Sequence, residues 1–260
     1  MQSAYLEFDG IAKRYGALEV VARHFNLDVA RNEFVVFLGP SGCGKTTLMR
    51  MIGGLDTPSE GTIRLDGRDV GAPDRRRGMV FQSYSSFPWL TVAENVAYGM
   101  RYRDDMTDDE KTKRRDHYLW LVGLKDFANA YPNKVSGGMR QRIAIARTLA
   151  AGSEVLLMDE PFGALDAQRR EDLQLELRRI HLADAKTFIF VTLDVDEAVF
   201  LADRIVVFSK RPARMLEELD ITAELGPDRT IALRDSERFF KVRTQVLRYV
   251  RSAASETSEH

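Results

Sequence analysis

Four continuous apolar segments stand out in the hydrophobic pattern of the chain: "FVVFL" (34–38), "VLLM" (155–158), "TFIFVTL" (187–193) and "RIVVF" (204–208). None of them alternates with polar residues, which is typical of strands that helices cover on both faces. Each segment ends at a polar or glycine-containing turn, and most are followed by apolar residues at helical spacing. This alternation predicts an α/β fold with a doubly wound parallel sheet. Shorter strand-like segments between about residues 4 and 38 predict an antiparallel sheet on its flank.

The pattern becomes helical between about residues 83 and 150, where "TVAENVAYGM" and "DDEKTKRRDHYLWLVGL" have no strand-like alternation. Thr91 precedes Glu94 by three residues, which is the spacing of a helix capping box. We therefore predict a mostly helical insertion of about residues 83–150 in the α/β core. Near the C-terminus, "DSERFFKVRTQVLRYVR" predicts one more amphipathic helix, followed by a polar, frayed tail.

Composition and charge narrow the class of protein. The 260 residues are 44% hydrophobic and 30% charged, as in ordinary globular proteins. A net charge of −1 gives no general attraction to nucleic acid, and we interpret the cluster Arg75–Arg77 as a solvated turn. The single cysteine, Cys43, excludes an internal disulfide and favours a reducing compartment. We expect no signal peptide in "MQSAYLEFDG", and no apolar run reaches the roughly 18–20 residues that span a bilayer.

The strongest motif lies between the first apolar strand and a helical pattern. It matches G-x-x-x-x-G-K-[ST] and comprises Gly39, Pro40, Ser41, Gly42, Cys43, Gly44, Lys45, Thr46 and Thr47. Strand, glycine-rich loop and helix are the context in which this motif binds phosphates through inward-pointing backbone N–H groups. Lys45 is then expected at the β- and γ-phosphates and the Thr46 hydroxyl at Mg²⁺. We interpret Cys43 as a small loop residue, not a nucleophile or a metal ligand.

Paired acidic residues end the second buried strand, in "VLLMDEP". Carboxylates at the end of a buried strand are costly unless a metal or another partner compensates them. Asp159 is therefore a candidate ligand of Mg²⁺ through water. Glu160 is the candidate that polarises an attacking water molecule. The alternative is an exposed turn at the end of the strand.

A second candidate anion site is "VSGGMRQRIAIARTLA" (135–150). Ser136, Gly137 and Gly138 precede apolar residues at helical spacing, so they stand at a helix N-terminus, where anions bind. The alternative is a glycine turn before an unrelated helix. That alternative would be reasonable for "SGG" alone, but the position of "SGG" shortly before "VLLMDEP" favours the anion site.

These ordered motifs resemble the ATP-binding subunit of an ATP-binding-cassette (ABC) transporter from about residue 5 to residue 210. The resemblance rests on the phosphate loop, on Gln82 after "GMVF", on "VSGGM", on "MDEP" and on "GALD" with Asp166. It implies a P-loop NTPase core with a helical signature subdomain, in an ATP-binding domain of residues 4–230 followed by a C-terminal helix and frayed tail at 231–260. It also implies ATP and Mg²⁺ as ligands.

The resemblance implies further roles. Tyr15 in "KRYG" would stack on adenine, although the residue pattern alone leaves it open as a core aromatic. Gln82 would sense the γ-phosphate and bind Mg²⁺. Two cassettes would close head to tail, so Ser136 and Gly138 would bind ATP held by the opposite subunit, and Asp166 would lie across the interface.

The segment "FPWLTVAENVAYGM" resembles the bacterial importers of nitrate, sulfonate and taurine. That implies a peripheral protein on the cytoplasmic face of the bacterial cell membrane, with a separate permease, indirectly a solute-binding protein, and no nucleic acid. We expect "SSFPWL" to meet the permease, with an ordinary amphipathic patch as the alternative. A clamp that binds ATP without much turnover and a non-transport cassette are the competing functions.

One residue departs from the family pattern. The residue after "VT" is usually histidine in the family, and here it is Leu193. Leucine neither donates a hydrogen bond to phosphate nor relays a proton, so we expect slower hydrolysis with less effect on binding. The chain is then the impaired member of an asymmetric pair, a slow homodimer in which Glu160 suffices, or a form in which leucine was introduced deliberately.

Overall fold

The computed structural model of the chain describes residues 4–81, 86–163 and 165–255. Contacts divide the chain into two compact units. The first unit comprises Met1–Asp74 and Leu177–His260, and the second comprises Arg75–Glu176.

The strands carry many of the buried apolar residues in the described parts of the chain. In chain order they are β1 (Leu6–Tyr15), β2 (Leu18–Val29), β3 (Phe34–Leu38), β4 (Glu60–Leu65), β5 (Arg68–Asp69), β6 (Arg77–Val80), β7 (Val155–Asp159), β8 (Thr187–Thr192), β9 (Arg204–Phe208) and β10 (Met215–Asp220). The four strands predicted from continuous apolar runs correspond to β3, β7, β8 and β9, so these predictions are confirmed.

The helices follow the strands in the order expected of an α/β protein. They are α1 (Lys45–Ile52), α2 (Val92–Tyr98), α3 (Asp108–Leu121), α4 (Gly137–Ala151), α5 (Ala167–Asp184), α6 (Val195–Leu201), α7 (Ile221–Leu225) and α8 (Glu237–Ser255). The capping box of Thr91 and Glu94 is present at α2, as predicted. A second box, formed by Thr107 and Glu110, begins α3 and fixes where that helix starts.

The first unit contains an antiparallel sheet with the strand order β2-β1-β4-β5. Its buried side includes Leu6, Phe8 and Ile11 of β1, all at most 1% exposed. This sheet confirms the antiparallel flank.

The parallel part of the first unit explains why its apolar runs are continuous. Strand β3 pairs in parallel with both β8 and β9, so all five of its residues are fully buried. Leu38, the last residue of β3, pairs with Thr192, the last residue of β8. The loops that leave β3 and β8 therefore emerge side by side from one edge of the sheet.

The second unit combines a parallel strand pair, β6 with β7, and the helices α2, α3 and α4. Arg77 opens β6 and is only 8% exposed, because it pairs with Val155 of β7. The interpretation of Arg75–Arg77 as a solvated turn was therefore wrong for Arg77. This unit extends beyond the predicted helical region of about 83–150, since it includes both strands.

The predicted C-terminal helix is present as α8. It buries Phe239, Val242 and Val246 and leaves Phe240 61% exposed, which is the amphipathic pattern expected from the sequence. Arg243 of this helix donates to Asp196 of α6 at 2.7 Å. The domain boundary at residue 230 stays a prediction. Among the residues that the structure describes, no helix combines the length and the apolar character needed to cross a membrane.

Candidate functional site

The glycine-rich loop between β3 and α1 is held tightly against its own unit. Gly44 precedes α1 with φ 126°, a conformation that L-residues rarely adopt. A Cβ atom at Gly44 would lie 2.9 Å from the Val20 carbonyl oxygen and 3.1 Å from the Ala213 Cβ. Only glycine fits this position, so the loop backbone follows one fixed course into the helix.

Lys45 lies inside this loop. Its side chain is buried, and Nζ donates hydrogen bonds to the carbonyl oxygens of Gly39 and Pro40, each at 2.8 Å. The Cys43 sulfur is 3.5 Å from the same Nζ and is also buried, as expected of a packed loop residue. No acidic residue occupies the first turn of α1, so the helix itself places no carboxylate at its positive end. A lysine ammonium and a helix N-terminus together favour an anion of high charge.

The hydroxyl side chains of the loop differ in exposure. Ser41 and Thr46 are exposed, whereas Thr47 is half-buried and close enough to Tyr15 for its side chain to lower the pKa of that residue. No group of three or more His, Cys, Asp or Glu residues able to hold a metal ion is found in the described parts of the chain. The exposed Thr46 hydroxyl is an oxygen donor of the kind that Mg²⁺ binds together with phosphate oxygens.

The acidic pair lies at the end of β7 in the second unit. Asp159 is the last residue of the strand and is 5% exposed, and half-buried Glu160 follows it. Glu160 has φ 45°, the left-handed region that costs a non-glycine residue about 1–3 kcal/mol. Such strain concentrates at functional sites, which agrees with the role expected of Glu160.

The second candidate anion site is also in the second unit. Ser136 caps α4 by accepting a hydrogen bond from Met139 N at 3.3 Å, and Gly137 and Gly138 form the first turn, which contains no acidic residue. Asp166 is exposed and accepts from Arg169 N at 3.0 Å, so it caps the start of α5. This capping role was not predicted from the sequence.

Tyr15 ends β1 with its ring 47% exposed, so the alternative of a core aromatic was wrong. Its hydroxyl donates to the Asp56 carboxylate. Burial raises the pKa of Tyr15, and the hydrogen bond and charge of Asp56 raise it further. The ring therefore stays neutral and is available at the surface of the unit that contains the phosphate loop.

Leu193 follows β8 directly and is 46% exposed. Because Leu38 and Thr192 are paired, Leu193 leaves the sheet beside Gly39, the first residue of the phosphate loop. Asp194 caps α6 by accepting from Asp196 N at 2.8 Å, which fixes the turn that contains Leu193.

Gln82, predicted as a metal ligand and γ-phosphate sensor, lies outside the described residues. The segment that follows is described from Ser86 onward and presents Trp89 at 70% exposure. The Phe87 ring packs against the Tyr98 ring with centroids 4.6 Å apart.

Sequence reasoning missed Asn95, which holds this segment. Asn95 is fully buried in α2, and its Nδ2 donates to the carbonyl oxygens of Phe87, Leu90 and Thr91, each at 3.0 Å. Its Oδ1 accepts from Phe87 N at 2.8 Å. The available signal was a polar residue among the apolar positions of "TVAENVA".

Comparison with known proteins gives a family for this arrangement. The family model described as "ABC transporter" matches residues 22–163, more than half of the chain. The chain belongs to the ABC transporter family. It is 43% identical to a nitrate import ATP-binding protein of Synechocystis sp., over 92% of this chain and 91% of that protein. It is 40% identical to an aliphatic sulfonates import ATP-binding protein of Bacillus thuringiensis subsp. konkukian, over 91% and 90% of the two chains.

Solved ABC cassettes share the fold. A dimeric ATP-binding cassette in a post-hydrolysis state, bound to ADP and Pi, superposes with a TM-score of 0.74 at 33% identity. The match covers 83% of this chain and 98% of the cassette. The α/β fold and the resemblance to the nitrate and sulfonate import ATP-binding proteins are thus confirmed. ATP binding and ATP hydrolysis are the chemistry of this ABC family.

Proposed function

We propose that this chain is the ATP-hydrolysing subunit of a bacterial ABC importer, which couples ATP binding and hydrolysis to solute uptake through a separate permease. The observation that carries the proposal is Lys45, buried inside a glycine loop whose course Gly44 fixes, at the N-terminus of α1, whose first turn contains no acidic residue. The names of the nitrate and sulfonate import relatives support the importer class.

Some of the site residues would bind the nucleotide and its metal ion, and another would act in hydrolysis. The loop residues Gly39 to Thr47 would bind the triphosphate through backbone N–H groups and Lys45. Thr46, Gln82 and Asp159 would hold Mg²⁺, which when bound neutralises charge on the phosphate oxygens. Glu160 would orient and deprotonate the attacking water molecule. Its carboxylate would take the proton as the bond from the water oxygen to the γ-phosphorus forms, and the bond from the γ-phosphorus to the β–γ bridging oxygen would break with ADP as the leaving group.

A second cassette, identical or homologous, is part of the proposal. Ser136, Gly137 and Gly138 form a helix start with no acid in its first turn, which suits the γ-phosphate of ATP held by an opposite subunit. Asp166 would lie across that interface, and Tyr15 would stack on adenine. The solved relative in its dimeric state with ADP and Pi supports this arrangement.

The permease contact is proposed for the segment around Trp89. A side chain that is 70% exposed on a backbone fixed by four hydrogen bonds of Asn95 suits a docking surface. The chain would then lie peripherally on the cytoplasmic face of the cell membrane. A solute-binding protein would be an indirect partner that delivers the solute to the permease, and nucleic acid would not be a partner.

Hydrolysis at this chain's own site is proposed to be slow. Leu193 emerges beside the phosphate loop and offers no hydrogen bond to a phosphate or a water molecule. The same observation favours a second candidate function, an ATP-binding clamp that hydrolyses weakly and pairs with a different, competent cassette. Replacing Leu193 with histidine tests whether this residue slows hydrolysis, as developed in the Discussion.

Nucleotide binding and phosphate release of the purified chain with Mg²⁺-ATP test the proposal. We expect Lys45→Ala to lose binding, and Glu160→Gln to bind ATP but to release no phosphate. Lys241→Ala and Glu217→Gln, both at exposed positions, are matched controls that should behave as the parent chain. Unchanged ATP binding in Lys45→Ala would refute the assigned site, and unchanged phosphate release in Glu160→Gln would refute the assigned base.

A further inference from the structure

We propose that Asp56 is a positioning residue that holds the Tyr15 ring for stacking on the nucleotide base. This inference rests on the proposed function, since it deepens the role given there to Tyr15. Asp56 belongs to none of the motifs by which the site was found. It lies 41 residues from Tyr15 along the chain, yet its carboxylate accepts the Tyr15 hydroxyl.

The Asp56 carboxylate is itself fixed. Its Oδ1 accepts from Lys13 Nζ at 2.5 Å and from Thr57 N at 2.8 Å, and Lys13 Nζ also donates to the Thr57 carbonyl oxygen at 2.7 Å. The side chains of Lys13 and Asp56 are 9% and 15% exposed, so water competes little for this pair. A carboxylate held by two other donors gives the Tyr15 hydroxyl one defined acceptor.

Lys13 also decides which face of the ring is available. Its Nζ lies over the Tyr15 ring, 4.7 Å from the centroid, in a cation–π contact. One face of the ring is thereby covered, while the side chain as a whole remains 47% exposed. A nucleotide base can therefore stack only on the face opposite Lys13.

The Tyr15 hydroxyl also lies next to the phosphate loop. The Thr47 side chain lowers the pKa of Tyr15, against the larger effects of burial and of Asp56. Thr47 lies in the first turn of α1, two residues after Lys45. The groups proposed to bind the base and the triphosphate are thus neighbours within one unit, which reduces the freedom that nucleotide binding must remove.

The charge states fit this arrangement. Desolvation by burial opposes ionisation of Asp56, but the hydrogen bonds from Lys13 and Tyr15 outweigh it and lower the pKa of Asp56. The raised pKa of Tyr15 keeps the phenol protonated. An ionised acceptor and a neutral donor give a charge-assisted hydrogen bond near neutral pH, stronger than one between neutral groups.

The experiment compares the binding of Mg²⁺-ATP with that of Mg²⁺-inorganic triphosphate, which has no base, to the full chain by calorimetry. Tyr15→Phe removes the hydroxyl and leaves the pair of Lys13 and Asp56 intact, and Asp56→Asn weakens the acceptor. We expect each variant to bind ATP about 3- to 10-fold more weakly, as for loss of one hydrogen bond, and to bind triphosphate as the parent does. Tyr15→Ala, which removes the ring, should weaken ATP binding by about 5- to 100-fold.

Glu60→Gln is the matched control. Glu60 accepts from Arg14 at 2.5 Å, and Arg14 adjoins Tyr15 in β1 with its side chain on the opposite face. This variant should bind both probes as the parent chain does. The positioning role is overturned if Tyr15→Phe and Asp56→Asn bind ATP normally while Tyr15→Ala does not, or if Asp56→Asn weakens triphosphate binding as much as ATP binding. Normal ATP binding by Tyr15→Ala would instead refute the proposed base contact and this inference with it.

Discussion

Replacing Leu193 with histidine is the most informative single change, because it tests whether this residue limits hydrolysis. The perturbation should affect chemistry more than folding. Leu193 is 46% exposed, and substitutions at such positions usually change stability by less than about 0.5 kcal/mol. The fixed turn after β8 and the pairing of Leu38 with Thr192 keep residue 193 beside the phosphate loop. An imidazole at residue 193 would therefore start from the same backbone position as the leucine that it replaces.

The expected size of the rate change follows from the hydrogen-bond donor that the histidine side chain adds. One preorganised hydrogen-bond donor at a reacting group typically changes the rate by about 10²–10³. The structure fixes the backbone of residue 193 but not the imidazole rotamer, so part of that gain is lost. We therefore expect Leu193→His to raise the steady-state rate of ATP hydrolysis by about 10- to 1000-fold. The affinity for ATP should change less, since the loop amides and Lys45 are untouched.

The assay is phosphate release by the assembled complex at saturating Mg²⁺-ATP, for the parent chain and for Leu193→His. Leu182→His is a matched control, because Leu182 is 52% exposed and lies in α5, away from the turn after β8. Adding Glu160→Gln to Leu193→His should abolish the gain if it arises at this chain's own site. A rate change below about twofold in Leu193→His would refute the claim that Leu193 limits hydrolysis.

Three further predictions concern the framework of the site. Asp203→Asn should lower the free energy of unfolding by about 3–5 kcal/mol, because the carboxylate accepts from His181 Nε2 at 2.8 Å and from Arg178 Nη1 at 2.9 Å in a mostly buried cluster. The pKa of Asp203 is lowered despite burial, chiefly by the hydrogen bond from His181. The difference in free energy of unfolding between the parent chain and Asp203→Asn should therefore hold near pH 7 and narrow below about pH 4 in urea titrations. A difference that does not depend on pH would contradict the role given to the ionised Asp203 carboxylate. Gly44→Ala should weaken binding of Mg²⁺-triphosphate at least about tenfold in calorimetry, because a Cβ would lie 2.9 Å from the Val20 carbonyl oxygen. Binding as in the parent chain would show that the loop backbone can move to accept a Cβ atom. Asn95→Ala should lower stability by about 2–4 kcal/mol and raise the rate of proteolysis in the 86–91 segment, since four backbone hydrogen bonds are lost; an unchanged proteolysis rate would refute this role.

Much of the fold was predictable because its signals are local. Strands β3, β7, β8 and β9 each contain a continuous apolar run of four or more residues, which is typical of short strands buried on both faces. The phosphate loop was predictable because its glycines and its lysine are close in sequence and because a strand and a helix flank it. The capping box of Thr91 and Glu94 was found from a spacing of three residues.

The residues that escaped prediction depend on contacts between distant parts of the chain. Lys13 and Asp56 are 43 residues apart, and nothing near either one indicates the other. Arg77 was expected in a solvated turn, because charged residues favour solvent. In the structure it pairs with Val155 as the first residue of β6, and it is buried. The exposure of Tyr15 likewise depends on where β1 ends, which a periodic pattern locates poorly.

Cys43 makes the chain convenient for chemical labelling. It is the only cysteine, and it lies within the phosphate loop with 1% of its surface exposed. Maleimide reagents need an accessible thiolate, so the folded parent chain should remain unlabelled. A cysteine placed at an exposed position such as Trp89 would then carry a fluorophore or a crosslinker at one defined site without removal of a native thiol. Slow labelling of Cys43 itself would report how often the phosphate loop opens, and a bound nucleotide should suppress that signal.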